Sequence, residues 1–95
     1  MNQIAQTQIS QTVLIANRRG LHARASAKFV TLAAEQPVQL KVCKDGPAVV
    51  GTSIMGLMML GAAMGDHITI SAEGDGAQAA VTALTALVEA KFGEE

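Results

Sequence analysis

Residues 9–35 read ISQTVLIANRRGLHARASAKFVTLAAE and indicate how the fold begins. Ile9, Val13 and Ile15 stand at positions of one parity, a spacing that is typical of a strand with one buried face. The polar NRRG that follows predicts a loop. The run from Ala23 to Glu35 is rich in helix-forming residues and predicts a helix, which the next Gln-Pro pair ends because a residue before proline disfavours helical dihedrals.

Further patterns continue this alternation of strands and helices along the chain. They predict a strand over 38–43, a hairpin partner over 48–51, a helix over 53–60, a strand over 67–72, and a helix over about 76–92 capped by Asp75. The order is therefore β-α-β-β-α-β-α. Since each strand is apolar mainly on one face, helices are expected to cover that face only. The sequence thus predicts an α+β fold, an open-faced sandwich with a four-stranded antiparallel sheet and three helices on one face.

The composition indicates one ordered domain. The chain has 95 residues, of which 49% are hydrophobic and 16% are charged, and a charged fraction this low argues against disorder. Residues 1–8 are expected to form a flexible N-terminal tail, and residues 9–95 a single domain. The net charge of −1 and the presence of only two aromatic residues argue against a nucleic-acid partner.

One uncharged stretch, from Gly46 to Gly65, is long enough to span a bilayer. Its five glycines, its proline and the polar Thr52-Ser53 pair favour a short strand followed by a short helix instead. The N-terminal MNQIAQTQ lacks the cationic start and apolar run of a secretory signal. With a single cysteine, Cys43, these features predict a cytoplasmic protein without membrane insertion.

A basic stretch carries the first candidate site. Four of the seven cationic residues lie between Arg18 and Lys28, which predicts contact with an anion or an acidic partner. His22 stands where the loop becomes a helix, and the free N–H groups of a helix N-terminus attract anions. A phosphoryl group on an imidazole nitrogen would lie near those groups and near Arg24, whose guanidinium can hold phosphate oxygens. An exposed loop histidine in a solubilising basic patch fits the spacing equally well.

Ser53 is the second candidate. It is a natural N-cap for the short helix, and the same position suits a phosphate because the helix dipole favours negative charge there. Most serines at such positions are only caps. Neither His22 nor His67 has a second ligand at metal-binding spacing, so no metal site is expected.

The helix after Ser53 is rich in methionine. If Leu57 and Leu60 face the core, so short a helix cannot also bury all of Ile54, Met55 and Met58. Exposed methionines form adaptable docking surfaces. By pattern alone, a role in filling an irregular core fits them somewhat better.

Four segments together resemble a known family over about residues 9–92. They are Gly20–Arg24 (GLHAR), Phe29-Val30, Ser53–Met58 (SIMGLM) and Ile70–Gly74 (ISAEG). In order and spacing they resemble HPr, the histidine-containing phosphocarrier protein of the bacterial phosphoenolpyruvate-dependent phosphotransferase system. The usual motif has proline after the arginine. Here Ala25-Ser26 follows, which resembles forms seen in alphaproteobacteria, where such carriers often serve a nitrogen-related regulatory branch. The sequence leaves the choice between that branch and sugar transport open.

The resemblance implies a monomeric phosphoryl carrier, without a cofactor, rather than a stand-alone enzyme. His22 would accept a phosphoryl group at Nδ1 from phosphorylated Enzyme I and pass it to a IIA-type acceptor, while Arg24 steadies the group. Ser53 would be phosphorylated by an HPr kinase/phosphorylase. The residues expected to be exposed and to dock these partners are Ala23, Ile54, Met55 and Met58.

Two other functions remain to be compared with a phosphocarrier. The chain could be a regulatory binding protein that is switched by phosphorylation of Ser53, with little phosphorelay through His22. An RNA-binding α/β sandwich is disfavoured by the missing aromatic residues and the acidic balance. Ala25 keeps an N–H that proline would lack, so the phosphoryl pocket is expected to be looser or to gain a donor.

Overall fold

The computed structural model describes residues 8–94. Its strands are β1 (Gln8–Leu14), β2 (Lys41–Cys43), β3 (Val49–Val50) and β4 (His67–Glu73), and its helices are α1 (Ala23–Ala34), α2 (Ile54–Met59) and α3 (Ala77–Glu89), with a 3-10 turn at Lys91–Gly93. The element order is the predicted one. Of the tail expected over residues 1–8, Gln8 already lies in β1, and the rest falls outside the described residues.

The four strands form one antiparallel sheet in the order β1-β4-β2-β3. Val13 and Ile68 lie opposite each other in β1 and β4, and both are buried. The neighbouring pair in this register, Thr12 and Thr69, points to the other face, where their hydroxyl oxygens lie 2.9 Å apart. α3 packs on β1 and β4, and α1 packs against α2 and α3. The predicted open-faced sandwich is confirmed.

The core lies between the sheet and the helices and draws side chains from each of these layers. Fully buried side chains include Phe29 of α1, Leu57 of α2, Ile70 of β4, Leu84 of α3 and Phe92 of the 3-10 turn. Burying a side chain of this size stabilises the fold by roughly 1.5–3 kcal/mol relative to leaving it exposed. Because α2 has six residues and buries only one of them, its stability depends on this packing rather than on its own length.

The last helix differs from its prediction at both ends. Gly76 is its N-cap, in a left-handed conformation with φ of 90°, and no side chain caps the helix, so the prediction of an Asp75 cap is wrong. The helix ends at Glu89 instead of Phe92. Lys91 and Phe92 adopt φ of 59° and 55°, which no right-handed helix contains. Phe92 follows Val88 by four residues, so helical periodicity could not reveal this break.

The uncharged stretch from Gly46 to Gly65 forms β3, α2 and their connecting turns. Within residues 8–94, no helix combines the length and the apolar character that a membrane crossing requires. β2 begins at Lys41, three residues later than the apolar alternation predicted.

Candidate functional site

The loop between β1 and α1 is held in place by the segment before β4. The N–H of Leu21 donates to the carbonyl of Ala62 at 3.0 Å. Gly20 has φ of 62°, and a Cβ at this position would lie 2.3 Å from the same carbonyl oxygen. Only glycine fits this close approach without backbone movement. The loop therefore delivers the chain to the start of α1 in a fixed position.

His22 is the N-cap of α1 and has extended dihedrals. Its Nδ1 accepts a hydrogen bond from the backbone N–H of Arg24 at 3.3 Å, and its carbonyl accepts from the N–H of Ser26 at 2.8 Å. Ser26 is buried, and its hydroxyl donates to the carbonyl of Leu21 at 3.1 Å. Nδ1 thus faces the first turn of α1, where free N–H groups and the positive end of the helix dipole favour an anion.

The other ring nitrogen of His22 contacts an acidic residue. Nε2 lies 2.6 Å from Oε2 of Glu94, and each of these side chains keeps only 16% of its surface exposed. The amide of Asn17, which is fully buried, donates to Oε1 of Glu94 at 3.1 Å. Desolvation by burial raises the pKa of Glu94. Hydrogen bonds from His22 and Asn17 lower it, as do the nearby charges of His22 and Lys28. Together they outweigh desolvation, so the pKa lies below its ordinary value. Glu94 is therefore an ionised carboxylate at neutral pH.

The sequence analysis did not identify Asn17 or Glu94 as site residues. Asn17 has the same parity as Val13 and Ile15, so extending the buried face of the strand by one step would have placed it inside. Glu94 has no such local signal, because it meets His22 only through the turn that follows α3.

The side chain of Arg24 does not meet the imidazole ring of His22. Arg24 is exposed and contacts His22 through its backbone N–H, and within residues 8–94 its guanidinium makes no hydrogen bond or ion pair. It lines a shallow groove between α1 and α3 with Lys28 and Leu87.

Ser53 caps α2 as predicted. Its hydroxyl oxygen accepts a hydrogen bond from the N–H of Gly56 at 2.9 Å. The side chain of Ser53 is half-buried. The backbone carbonyl of Ser53 accepts a hydrogen bond from the N–H of Leu57 at 3.0 Å. All of the partners of Ser53 in these contacts lie within four residues, so this cap is built from local sequence.

The outer side of α2 presents an apolar surface, which we call the α2 surface. Its members are Ile54, Met55, Met58 and Met59, with exposures of 42%, 69%, 42% and 78%. The resemblance correctly indicated that the first three are exposed, whereas the core role favoured by pattern alone is wrong. Ala23 is exposed at the start of α1, which packs against α2. The structure therefore places the exposed residues expected to dock partners on two neighbouring helices.

The imidazole of His22 offers nucleophilic chemistry. A neutral imidazole carries one lone pair on the ring nitrogen without a proton, and that nitrogen is a nucleophile. The described residues, 8–94, contain no group of three or more His, Cys, Asp or Glu side chains that could hold a metal ion. The arrangement supports covalent attachment of an anionic group to His22 at the mouth of a helix.

Comparisons with known proteins agree with this fold. A family model described as "PTS HPr component phosphorylation site" matches residues 9–90. A phosphocarrier protein HPr of Cupriavidus necator is 43% identical, over 90% of this chain and 97% of that protein. A phosphocarrier protein NPr of Shewanella violacea is 40% identical, over 93% of this chain and 97% of its own length.

Solved structures give the same result. The crystal structure of HPr-C-His from Thermoanaerobacter tengcongensis has a TM-score of 0.86 and 46% sequence identity, covering 92% of this chain and 98% of that one. An HPr from Bacillus anthracis has a TM-score of 0.79 and 38% identity, over 83% and 94% of the two chains. With a matching family model and relatives over nearly its whole length, the chain belongs to the HPr family of phosphocarrier components of the phosphotransferase system.

Proposed function

We propose that this chain accepts a phosphoryl group on Nδ1 of His22 from phosphorylated Enzyme I and passes it to a IIA-type acceptor. The observation that carries this proposal is the position of Nδ1 at the first turn of α1, 3.3 Å from the Arg24 N–H. In the forward step, Nδ1 attacks phosphorus and a new N–P bond forms. The bond between phosphorus and the donor atom breaks, and that atom keeps the electron pair. Transfer to the acceptor repeats the step with His22 as the leaving group.

The first turn of α1 can hold the transferred group. At 3.3 Å the contact between the Arg24 N–H and Nδ1 is long for a hydrogen bond, so that N–H can turn to a phosphoryl oxygen at little cost. Ala25 is the third residue of α1, so its N–H is one of the first-turn N–H groups that have no hydrogen-bond acceptor within the helix. This donor is absent from family members with proline there. Arg24 can add a charged, two-pronged contact to the phosphoryl oxygens.

Partner proteins complete the site. Ala23 follows His22 at the start of α1, and the α2 surface lies on the helix that packs against α1. Exposed methionines on that surface adapt their shape to different partners. We assign docking of Enzyme I and of the IIA-type acceptor to this area. The same docking area would serve successive partners, because each of them must reach the same ring nitrogen.

Phosphorylation of Ser53 is the second part of the proposal. A phosphate there would sit at the N-terminus of α2, where the backbone N–H of Gly56 already donates to the serine oxygen. The two negative charges would lie beside the α2 surface and change its affinity for acidic or apolar partners. An HPr kinase/phosphorylase is the enzyme class that the family implies for this modification.

The phosphocarrier role is tested by incubating the protein with Enzyme I and radiolabelled phosphoenolpyruvate. The wild type should become labelled in an acid-labile form, because a phosphoryl group on imidazole is lost in acid. His22→Ala should abolish the label. His67→Ala is the matched control, since His67 is an exposed histidine of β4, and it should be labelled like the wild type. A wild type that stays unlabelled with active Enzyme I, or a labelled His22→Ala, would contradict the proposal.

The regulatory role needs a separate test. With kinase and ATP, the wild type should acquire an acid-stable phosphate that Ser53→Ala lacks and the neighbouring Thr52→Ala keeps. Pulldowns with Ser53→Asp and His22→Ala then separate the two functions. Two results together would instead favour a regulatory binding protein. One is a partner that binds the wild type and His22→Ala but not Ser53→Asp, and the other is the absence of any label on His22.

A further inference from the structure

The proposed function uses one ring nitrogen of His22, but the fold engages the other nitrogen as well. Nε2 lies 2.6 Å from Oε2 of Glu94, the shortest polar side-chain contact within residues 8–94. A carboxylate can only accept, so in a neutral ring this contact requires the proton on Nε2. Nδ1 meets a backbone donor, the Arg24 N–H, which requires a lone pair there. The two contacts independently specify the same tautomer.

We propose that Glu94 is a positioning residue for His22, which holds the lone pair on Nδ1 and stabilises the positive charge that the ring gains on phosphorylation. This inference rests on the proposed function. Attack by Nδ1 places a phosphoryl group on that nitrogen while the proton stays on Nε2, so the ring becomes a cation. When the group leaves for the acceptor, the N–P bond electrons return to Nδ1. No proton moves in either direction, and the carboxylate stabilises the charged intermediate throughout.

The fold fixes the carboxylate as well as the ring. Oε1 of Glu94 accepts from the amide of Asn17, which is fully buried and also donates to the carbonyl of Gly20 at 2.9 Å. Phe92 is buried in the core, and its carbonyl accepts from Nζ of Lys28 at 2.8 Å. The loop before α1 and the turn after α3 are therefore both tied to the same carboxylate, which gives it one orientation toward Nε2.

The turn at Lys91–Gly93, in which Lys91 and Phe92 adopt left-handed dihedrals, helps to place Glu94 against His22. Lys91 and Phe92 both have positive φ, a conformation that is unfavourable for a residue with a side chain. Continuing α3 as a helix would avoid that cost. The turn directs the chain back across the start of α1 so that Glu94 reaches His22. The cost is offset by burial of the Phe92 ring and by the bond from Lys28.

The test uses three variants of Glu94 and one control. Glu94→Ala removes the acceptor and the charge, Glu94→Gln keeps an acceptor oxygen without the charge, and Glu94→Asp keeps the charge on a shorter side chain. Glu89→Ala is the control, because Glu89 is an exposed acidic residue at the end of α3. Two quantities are measured for each: the ¹⁵N-edited NMR signal of the His22 Nε2 proton at a pH where the ring is neutral, and the rate of phosphoryl transfer from Enzyme I.

The wild type and Glu89→Ala should show a protected Nε2 proton, since a hydrogen-bonded proton exchanges slowly with water. Glu94→Ala should lose that signal and slow the transfer by about 10-fold, less than the roughly 10²–10³-fold that removal of one donor from an oxyanion hole costs, because this pair is partly exposed. Glu94→Gln should keep the signal and lose rate, and Glu94→Asp should restore part of the rate. A Glu94→Ala variant that is labelled at the wild-type rate would overturn this inference and leave the phosphocarrier proposal intact.

Discussion

His22 and Ser53 stand at the same kind of place, the N-cap of a helix, and they are built differently. Each side chain accepts from a backbone N–H in the first turn, at 3.3 Å from Arg24 to His22 and at 2.9 Å from Gly56 to Ser53. Within residues 8–94 the Ser53 hydroxyl makes no other hydrogen bond. His22 makes a second contact with Glu94, 72 residues away in the sequence. A cap can therefore be built from local sequence alone, whereas an imidazole that is held at both ring nitrogens needs tertiary structure.

The helices that follow the two caps differ in how firmly the core anchors them. α1 has 12 residues and buries four of them, including Phe29, so the start of α1 is anchored by the core. α2 has six residues and buries only Leu57, while its methionines face outward. A short, weakly anchored helix suits a surface that adapts to partners, and an anchored one suits a reacting group that must keep its position. Substitutions at four positions test this difference between the two caps.

The largest effect is expected from Phe92→Ala. Removing a fully buried aromatic ring should lower the free energy of unfolding by about 3–5 kcal/mol. It should also release Glu94 from His22, because Phe92 anchors the turn that carries it, and leave the Ser53 cap in place. Urea denaturation measures the first effect, and the NMR signal of the His22 Nε2 proton measures the second. Met59→Ala is the control and should stay within about 0.5 kcal/mol of the wild type, because Met59 is 78% exposed.

Gly20→Ala should have the next largest effect and lower the free energy of unfolding by more than about 2 kcal/mol. Its Cβ would lie 2.3 Å from the carbonyl oxygen of Ala62, and its φ is already positive. Gly61→Ala is a matched control, since Gly61 has nearly the same φ of 66° but no atom within 4 Å of its Cβ position. The difference between the two urea midpoints isolates the cost of the clash with Ala62, and so measures how closely the wild-type His22 loop approaches that carbonyl. Equal losses would show that the close approach contributes nothing.

Ser53→Ala should cost about 1 kcal/mol, the usual loss for a helix cap. Ser53→Asp keeps a capping oxygen and should recover most of that stability. Ser53→Ala should not reduce phosphorylation of His22 by Enzyme I if the two caps are energetically separate. Thermal denaturation and the labelling assay together test this. A large drop in His22 labelling with Ser53→Ala would instead join the two sites into one unit.

The smallest effect is the pH dependence that Glu94 contributes. Its pKa in the folded protein is lowered from the ordinary value of 4.5. The stability it provides is therefore fully present above pH 4.5 and is lost as the pH falls through the folded pKa. Urea midpoints measured between about pH 6 and pH 3 should fall less for Glu94→Gln than for the wild type. Parallel curves would mean that the pair with His22 adds no measurable stability.

Part of the remaining acid sensitivity belongs to another carboxylate. The N–H of Ala63 and the side chain of Lys44 both hydrogen-bond Asp66 and lower its pKa. This group lies in the turn before β4 and is untouched by Glu94→Gln, so both proteins in the comparison keep it.

The sequence determined the element order, the open sandwich, the Ser53 cap and the place of His22 at the start of α1. These follow from hydrophobic period and from capping chemistry, which act over a few neighbouring residues. It also suggested where the chain departs from its family, at Ala25. Exposure of the α2 surface was favoured by the resemblance but not by the pattern, because a short helix leaves the choice of buried side to its neighbours.

Three features depend on tertiary contacts: the end of α3, its start at Gly76 without a side-chain cap, and the pairing of Glu94 with Asn17 and His22. Phe92 has the right spacing for a longer helix, so periodicity is the same for the continuous helix and for the left-handed turn. In the turn the Phe92 ring is buried in the core, and the Phe92 carbonyl accepts a hydrogen bond from Lys28, 64 residues away in the chain. Packing between distant segments has no signature in local sequence, and that is where the second nitrogen of His22 acquires its partner.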